Sequence, residues 1–155
     1  MLEDQANKQI FSNGDNSLID YNPMADLYPI EGLDDLNKIE EQILLDTEYR
    51  KKIVHDLSNN IGEKNVNSSV KKMMIQLFDD KLLAQFSFAG RKLTSKKSFQ
   101  SLGFYKIIDE ATKKMSKFKG VVRQEEIDDA IKYMLIQAPF RLKRKTEQEN
   151  AALLK

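Results

Sequence analysis

The chain has 155 residues, of which 41% are hydrophobic and 32% charged, with no cysteine and a formal net charge of +1. That length suffices for one domain with a proper core, and the composition is that of a soluble protein with a high charged fraction. No apolar run approaches the roughly 20 residues of a membrane span, and the absence of cysteine removes disulfides, cysteine nucleophiles and thiolate metal sites, which fits an intracellular protein.

The N-terminal MLEDQANKQIF is acidic and has no apolar stretch, so it does not read as a secretory signal. Residues 1–28 are rich in Asn, Asp, Gly and Ser and are expected to form a flexible tail, residues 1–27 preceding the folded part. Tyr28-Pro29-Ile30 marks the start of that part, because proline favours an extended chain before it. In EGLDDLNKIEEQILL, Leu33, Leu36, Ile39, Ile43 and Leu44 recur at helical spacing, with Asp34 and Asp35 complementing the dipole of the first turn. Asp46 is the expected N-cap of a second helix with Tyr49, Ile53, Val54 and Leu57 on its inner stripe, ended near Asn60 and Gly62. A third helix is expected from near Asn67, with Val66, Val70, Met73, Met74 and Leu77 inward and Lys71 and Lys72 outward.

A short helix carrying Leu82, Leu83 and Phe86 is expected after Asp79. A basic loop follows at roughly 89–98, and Ser98 is the expected cap of a stretch through Phe99, Leu102, Phe104, Tyr105, Ile107 and Ile108. Beyond the break at Gly120, a last helix of about 124–137 presents Ile127, Ala130, Ile131, Met134 and Leu135 on one face, and Pro139 is expected to end it. The stretch FRLKRKTEQENAALLK (140–155) could extend as a frayed helix, with residues 146–155 as a C-terminal tail. No internal repeat, sustained heptad or β-hairpin signal is present. The sequence therefore predicts an all-α protein: a compact bundle of five or six short helices over 28–145 with a flexible N-terminal tail.

The common catalytic patterns are missing. The one histidine, His55, lies about 200° around its helix from Ile53 and is expected to face solvent. No phosphate-binding glycine loop occurs, so no nucleotide or other cofactor is expected. Asp79-Asp80 and Asp128-Asp129 could hold magnesium in a nuclease, but both pairs fall where helices begin, and capping explains them. No enzyme, metal or small-molecule substrate is expected.

Charge is unevenly placed. Residues 1–49 hold two cations and twelve anions, whereas residues 50–155 hold 23 cations and 12 anions. Three basic groups stand out: Arg91, Lys92, Lys96 and Lys97 in the loop; Lys113, Lys114, Lys117 and Lys119 around Phe118; and Arg141, Lys143, Arg144 and Lys145 after the last apolar face. Cations at this density suit a phosphate backbone, since each neutralised phosphate releases counterions. On the last helix, Lys132, Tyr133, Ile136 and Gln137 face outward, and glutamine can pair bidentately with adenine. Asp128 and Asp129 share part of that face and would repel phosphate. A surface helix contacting another protein is the competing reading.

The blocks YPIEGLDDLNKIEEQILLDTEYRKKIVHDLSNNIG, VKKMMIQLFDDKLLAQFSFAGRK and SFQSLGFYKIIDEATKKM resemble the domain of unknown function 4806, over about residues 28–118. The resemblance implies a family known from invertebrate proteins and says little of function. Over about 66–145 the chain is also distantly similar to the BEN domain, a helical module of chromatin-associated proteins. The similarity is carried by Leu77-Phe78-Asp79, Leu83-Ala84, Gly90-Arg91-Lys92, Lys106-Ile107-Ile108, and Ile127 to Ile131 ending at Arg141-Lys143-Arg144-Lys145. It implies that the last helix and its basic exit touch DNA while the loop at 91–97 holds phosphates. The expectation is a non-enzymatic, nuclear, chromatin- or transcription-associated DNA-binding domain. Arg91, Lys92, Lys96, Lys97, Arg141, Lys143, Arg144 and Lys145 would hold phosphates, and Lys132 and Gln137 would read bases. The alternative is a protein-interaction module or homodimer without nucleic acid, with Tyr133, Ile136 and the ALLK end as contacts and the acidic N-terminal part docked on the basic half. RLKRK at 141–145 is a weak nuclear-import signal.

Overall fold

The computed structural model describes residues 29–62, 64–90, 95–115, 117–118 and 121–154. The tail assigned to residues 1–27 lies outside them. Near the start of the described chain, Ile30 is buried and forms a parallel bridge with Phe78. Its N–H donates to the Leu77 carbonyl and its carbonyl accepts from the Asp79 N–H, so the incoming chain is tied to the middle of the molecule.

Helix α1 (Leu33–Leu45) turns Leu36, Ile39 and Ile43 inward and carries Asp34 and Asp35 in its first turn. Leu44, expected on the same stripe, is 83% exposed. It lies one position, about 100°, past Ile43, beyond the edge of the buried face. Asp46 alone separates α1 from α2 (Thr47–Asn60). It is extended and works in both directions: its N–H closes α1 on the Gln42 carbonyl, and its carboxylate accepts from the Tyr49 N–H as the N-cap of α2. Tyr49, Ile53, Val54 and Leu57 are all buried, as their spacing predicts. Asn65 caps α3 (Val66–Leu77) through the Ser68 N–H, and the predicted stripe of α3 is buried together with Ser69.

A single turn, α4 (Asp80–Leu83), is capped by Asp79. Two short strands follow, β1 (Phe86–Ser87) and β2 (Lys97–Ser98), paired in parallel with Phe86 opposite Lys97. No strand pairing was expected here. The loop's two flanks run side by side, held by bonds from the Lys97 N–H to the Gln85 carbonyl and from the Phe99 N–H to the Ser87 carbonyl. Gly90 turns the chain out of β1 with φ of +80°, a conformation that side chains resist.

Helix α5 spans Gly103–Lys114, and α6 spans Gln124–Leu153. Two expectations about these helices are corrected. Ser98 does not cap α5; its hydroxyl accepts from the Ser101 N–H in the preceding turn. The cap comes from α1, where the Glu40 carboxylate accepts from the N–H groups of Gly103 at 2.7 Å and Phe104 at 3.0 Å. A cap supplied across 63 positions is invisible to local pattern. Nor does Pro139 end the last helix: α6 runs through it for 30 residues in all, so that 138–153 is helical too. Proline removes one N–H from the ladder, but Ala138 before it is buried and Arg141 and Lys145 beyond it are anchored to α4.

In the core, α6 packs on α3 and α4, and α2 packs on α5. Phe78 sits at the junction, edge-on to Phe99 at 5.6 Å and to Phe104 at 5.2 Å, and Phe99 in turn meets Phe86 at 6.1 Å. The six helices among the described residues confirm the all-α bundle, with the parallel strand pair as a minor addition. None of these helices is long and apolar enough to cross a membrane.

Candidate nucleic-acid interface

Where β1 meets α6, the surface opens into a groove of about 450 Å³. Phe86 from β1, Phe88 just after it, and Leu135 and Ile136 from the helix give it an apolar floor, with Lys96 and Lys132 also lining it. The parallel pairing of β1 with β2 brings Lys96, from the far side of the basic loop, to this position. A Cβ at Gly90 would come 3.1 Å from the Ser98 Cβ, so the absence of a side chain there lets the two flanks close together. Lys132 leans over the Phe88 ring with Nζ 5.0 Å from its centroid, a cation–π contact that fixes the ammonium beside the groove.

The structure brings some of the predicted residues together and separates others. Arg91 and Lys92 lie outside the described residues. Lys96 and Lys132 line the groove, and Lys97 is exposed on β2. Lys143 and Arg144 are exposed on α6. Lys143 follows Lys132 by three helical turns, which places it on the same side of α6 about 16 Å along. Among the described residues, these five cations form no ion pair. Gln137 is half-buried and five positions from Lys132, about 140° around the helix, so the two proposed base readers do not address one surface.

Arg141 and Lys145 are engaged within the fold. Both reach Asp80, which is only 6% exposed. Arg141 contacts Oδ1 at 2.9 Å through Nη2 and at 3.0 Å through Nε, and Lys145 contacts Oδ2 at 2.8 Å. Arg141 Nη2 also donates to the Met134 carbonyl at 2.9 Å. Burial alone would push the Asp80 carboxyl up, but the hydrogen bonds and charges of Arg141 and Lys145 outweigh it and hold the group below its ordinary value. Sequence reasoning treated Asp79-Asp80 as a capping pair; only Asp79 caps, accepting from the Lys81 N–H at 2.8 Å. The available signal was the i,i+4 spacing of Arg141 and Lys145, which sets two cations on one helix side for a single distant anion.

Other anions are also committed inward. Asp128, expected on the outer face of α6, accepts a 2.7 Å bond from the Tyr105 hydroxyl on α5 and one from Gln124. Burial and then the Asp128 carboxylate push the Tyr105 phenol up to about 12. Glu110 holds Arg50 at 2.8 Å and Lys114 at 3.2 Å; these partners overcome the effect of burial and keep its carboxyl low. Lys113 bonds Asp109 and Gln124. The second basic group, with Lys119 outside the described residues, is thus partly neutralised. His55 is exposed, in contact with Asn59. Among the described residues no three His, Asp or Glu side chains gather as a metal site would need.

Fold and surface together define a compact helical domain with an apolar groove, lined also by two lysines, on one flank of its longest helix. The chain belongs to the family described as Domain of unknown function (DUF4806), which it matches over residues 24–119. That match ends before α6, so the groove is shared between the family region and the helix that follows it. No curated protein and no solved structure matches the chain.

Proposed function

We propose that this protein is a non-enzymatic DNA-binding domain of chromatin or transcription, acting in the nucleus. Lys96, Lys97, Lys132 and Lys143 would contact the phosphate backbone along the flank of α6. The observation that carries the reading is the convergence of Lys96 and Lys132, from separate elements, on one groove with Lys143 in line. Ammonium groups that form no ion pair among the described residues can supply the sequence-independent part of DNA affinity. Arg141 and Lys145 serve mainly to brace α6 through Asp80, and Asp128 is turned away into Tyr105. The test is fluorescence anisotropy with random-sequence duplex DNA at low and physiological salt. Micromolar binding that weakens steeply with salt supports the reading, and no binding at low salt overturns it.

One observation favours a protein-interaction reading. Tyr133, Ile136 and Phe140 are 49%, 63% and 56% exposed on successive turns of α6. A stripe of large apolar side chains at helical spacing suits a partner helix. Light scattering showing concentration-dependent dimers without DNA binding would select this alternative.

A further inference from the structure

The groove is more apolar than a phosphate contact requires, and its chemistry describes a second occupant. Phe86, Phe88, Leu135 and Ile136 would take aliphatic and aromatic side chains, while Lys96 and Lys132 would take a carboxylate between them. The chain itself carries such a segment. Leu18-Ile19-Asp20-Tyr21 places one acid among three large apolar residues, and residues 1–28 hold five anions and one cation. We propose that Leu18–Tyr21 docks intramolecularly in this groove, with Asp20 set against Lys96 and Lys132.

Two facts place this segment within reach. Ile30 is bridged to Phe78. Ring contacts of 5.6 and 6.1 Å then connect Phe78 through Phe99 to Phe86, which lines the groove. The eight residues 22–29 span up to about 25 Å, more than this path demands. A tether of that length holds the segment at an effective concentration on the order of millimolar, enough for a weak contact to be populated. Docking uses the same lysines as the phosphate backbone, so the segment competes with DNA; this last clause rests on the function proposed above, whereas the docking does not.

The test uses the full chain. With no native cysteine, Ser17→Cys accepts a single nitroxide label. Broadening of the amide signals of Ser87, Phe88, Lys132 and Ile136 is expected, and it should vanish when Leu18, Ile19 and Tyr21 are all changed to serine. Amide shifts of buried residues such as Ile53, Met73 and Ile131, read in the same spectra, report whether the serine variant is folded. Broadening that persists in the serine variant would reflect the short tether alone and overturns the proposal. So does broadening spread evenly over the surface, or broadening transferred to isotope-labelled chains mixed with nitroxide-labelled ones, which would mean docking between copies. In the DNA titration the serine variant should bind severalfold tighter than the parent. If the groove broadening is present and specific but neither chain binds DNA, docking stands and the DNA reading falls. If both bind DNA equally and no broadening is seen, the DNA reading stands and docking falls.

Discussion

Asp80 and Arg141, 61 positions apart, form the ion pair that joins the single turn α4 to the far half of α6. The carboxylate is almost fully buried and the guanidinium side chain is 18% exposed, so water screens the pair little. Removing the anion leaves Arg141 beside a buried neutral group. Asp80→Asn should therefore cost about 3 kcal/mol, the low end of the range for breaking a buried pair. Because the folded-state carboxyl is held below its ordinary 3.8, this contribution is present above that value. It is lost as pH falls through the depressed folded value. Urea unfolding at pH 7 should show the full deficit of the variant, and the two proteins should converge in strong acid. A deficit that is constant with pH would mean that packing, not charge, is responsible.

Glu40 has the opposite sign. Burial raises its carboxyl above 4.5, against the two backbone N–H bonds from Gly103 and Phe104 that lower it. A raised acid stabilises the fold below its unfolded value, and that contribution is lost as pH rises through the folded value. Glu40→Gln should gain on the parent as pH climbs above 4.5. Glu40→Ala, which strips both bonds from the start of α5, should be less stable at every pH by about 1–2 kcal/mol.

These two carboxylates mark how far the sequence could be read. The helices were legible because spacing of Tyr49, Ile53, Val54 and Leu57, or of Val70, Met73, Met74 and Leu77, is a local property that burial then obeys. Asp46 was legible for the same reason: a cap acts within three residues. Glu40 and Asp80 act across more than sixty residues, and nothing near either names its partner. Past Pro139, Arg141 and Lys145 on α6 hold Asp80, another long-range contact that no local pattern announces. Of the candidate interface, the cations were legible but not their distribution. Sequence alone gave Arg141 the same standing as Lys143, and only packing separates the anchored one from the exposed one.

Gly90 gives a backbone prediction. At φ of +80° a side chain costs about 1–2 kcal/mol, and a Cβ would press on Ser98 at 3.1 Å. Gly90→Ala should loosen β1 from β2. Hydrogen exchange should then quicken at the Lys97 and Phe99 amides, which donate to Gln85 and Ser87. Gly90→Asn should do less harm, since asparagine visits this region more readily. Equal exchange in all three proteins would show that the strand pair does not depend on the turn.

Pro139 provides a gain of stability. It lies inside α6 and leaves the Leu135 carbonyl without its ladder donor. Pro139→Ala supplies that N–H and removes the ring's clash with the preceding turn, so it should stabilise by about 1–3 kcal/mol. Thermal unfolding would read it directly. A fall in stability would mean that the half-buried proline ring contributes more by packing than it removes from the helix.

The last prediction separates bracing cations from binding ones. Changing Lys96, Lys132 and Lys143 to alanine removes three ammonium groups without touching an ion pair among the described residues. Stability should fall by no more than about 1 kcal/mol, the value of the Lys132–Phe88 contact. The slope of log affinity against log salt should shrink by about 3, at every DNA sequence alike. Arg141→Gln should show the reverse balance: a clear loss of stability through Asp80 and a slope nearly unchanged wherever the chain is folded. If Arg141→Gln flattened the salt slope as much as the triple variant, the phosphate surface would lie across α4 and the Asp80 cluster, and the flank bearing Lys132 and Lys143 would lose its role.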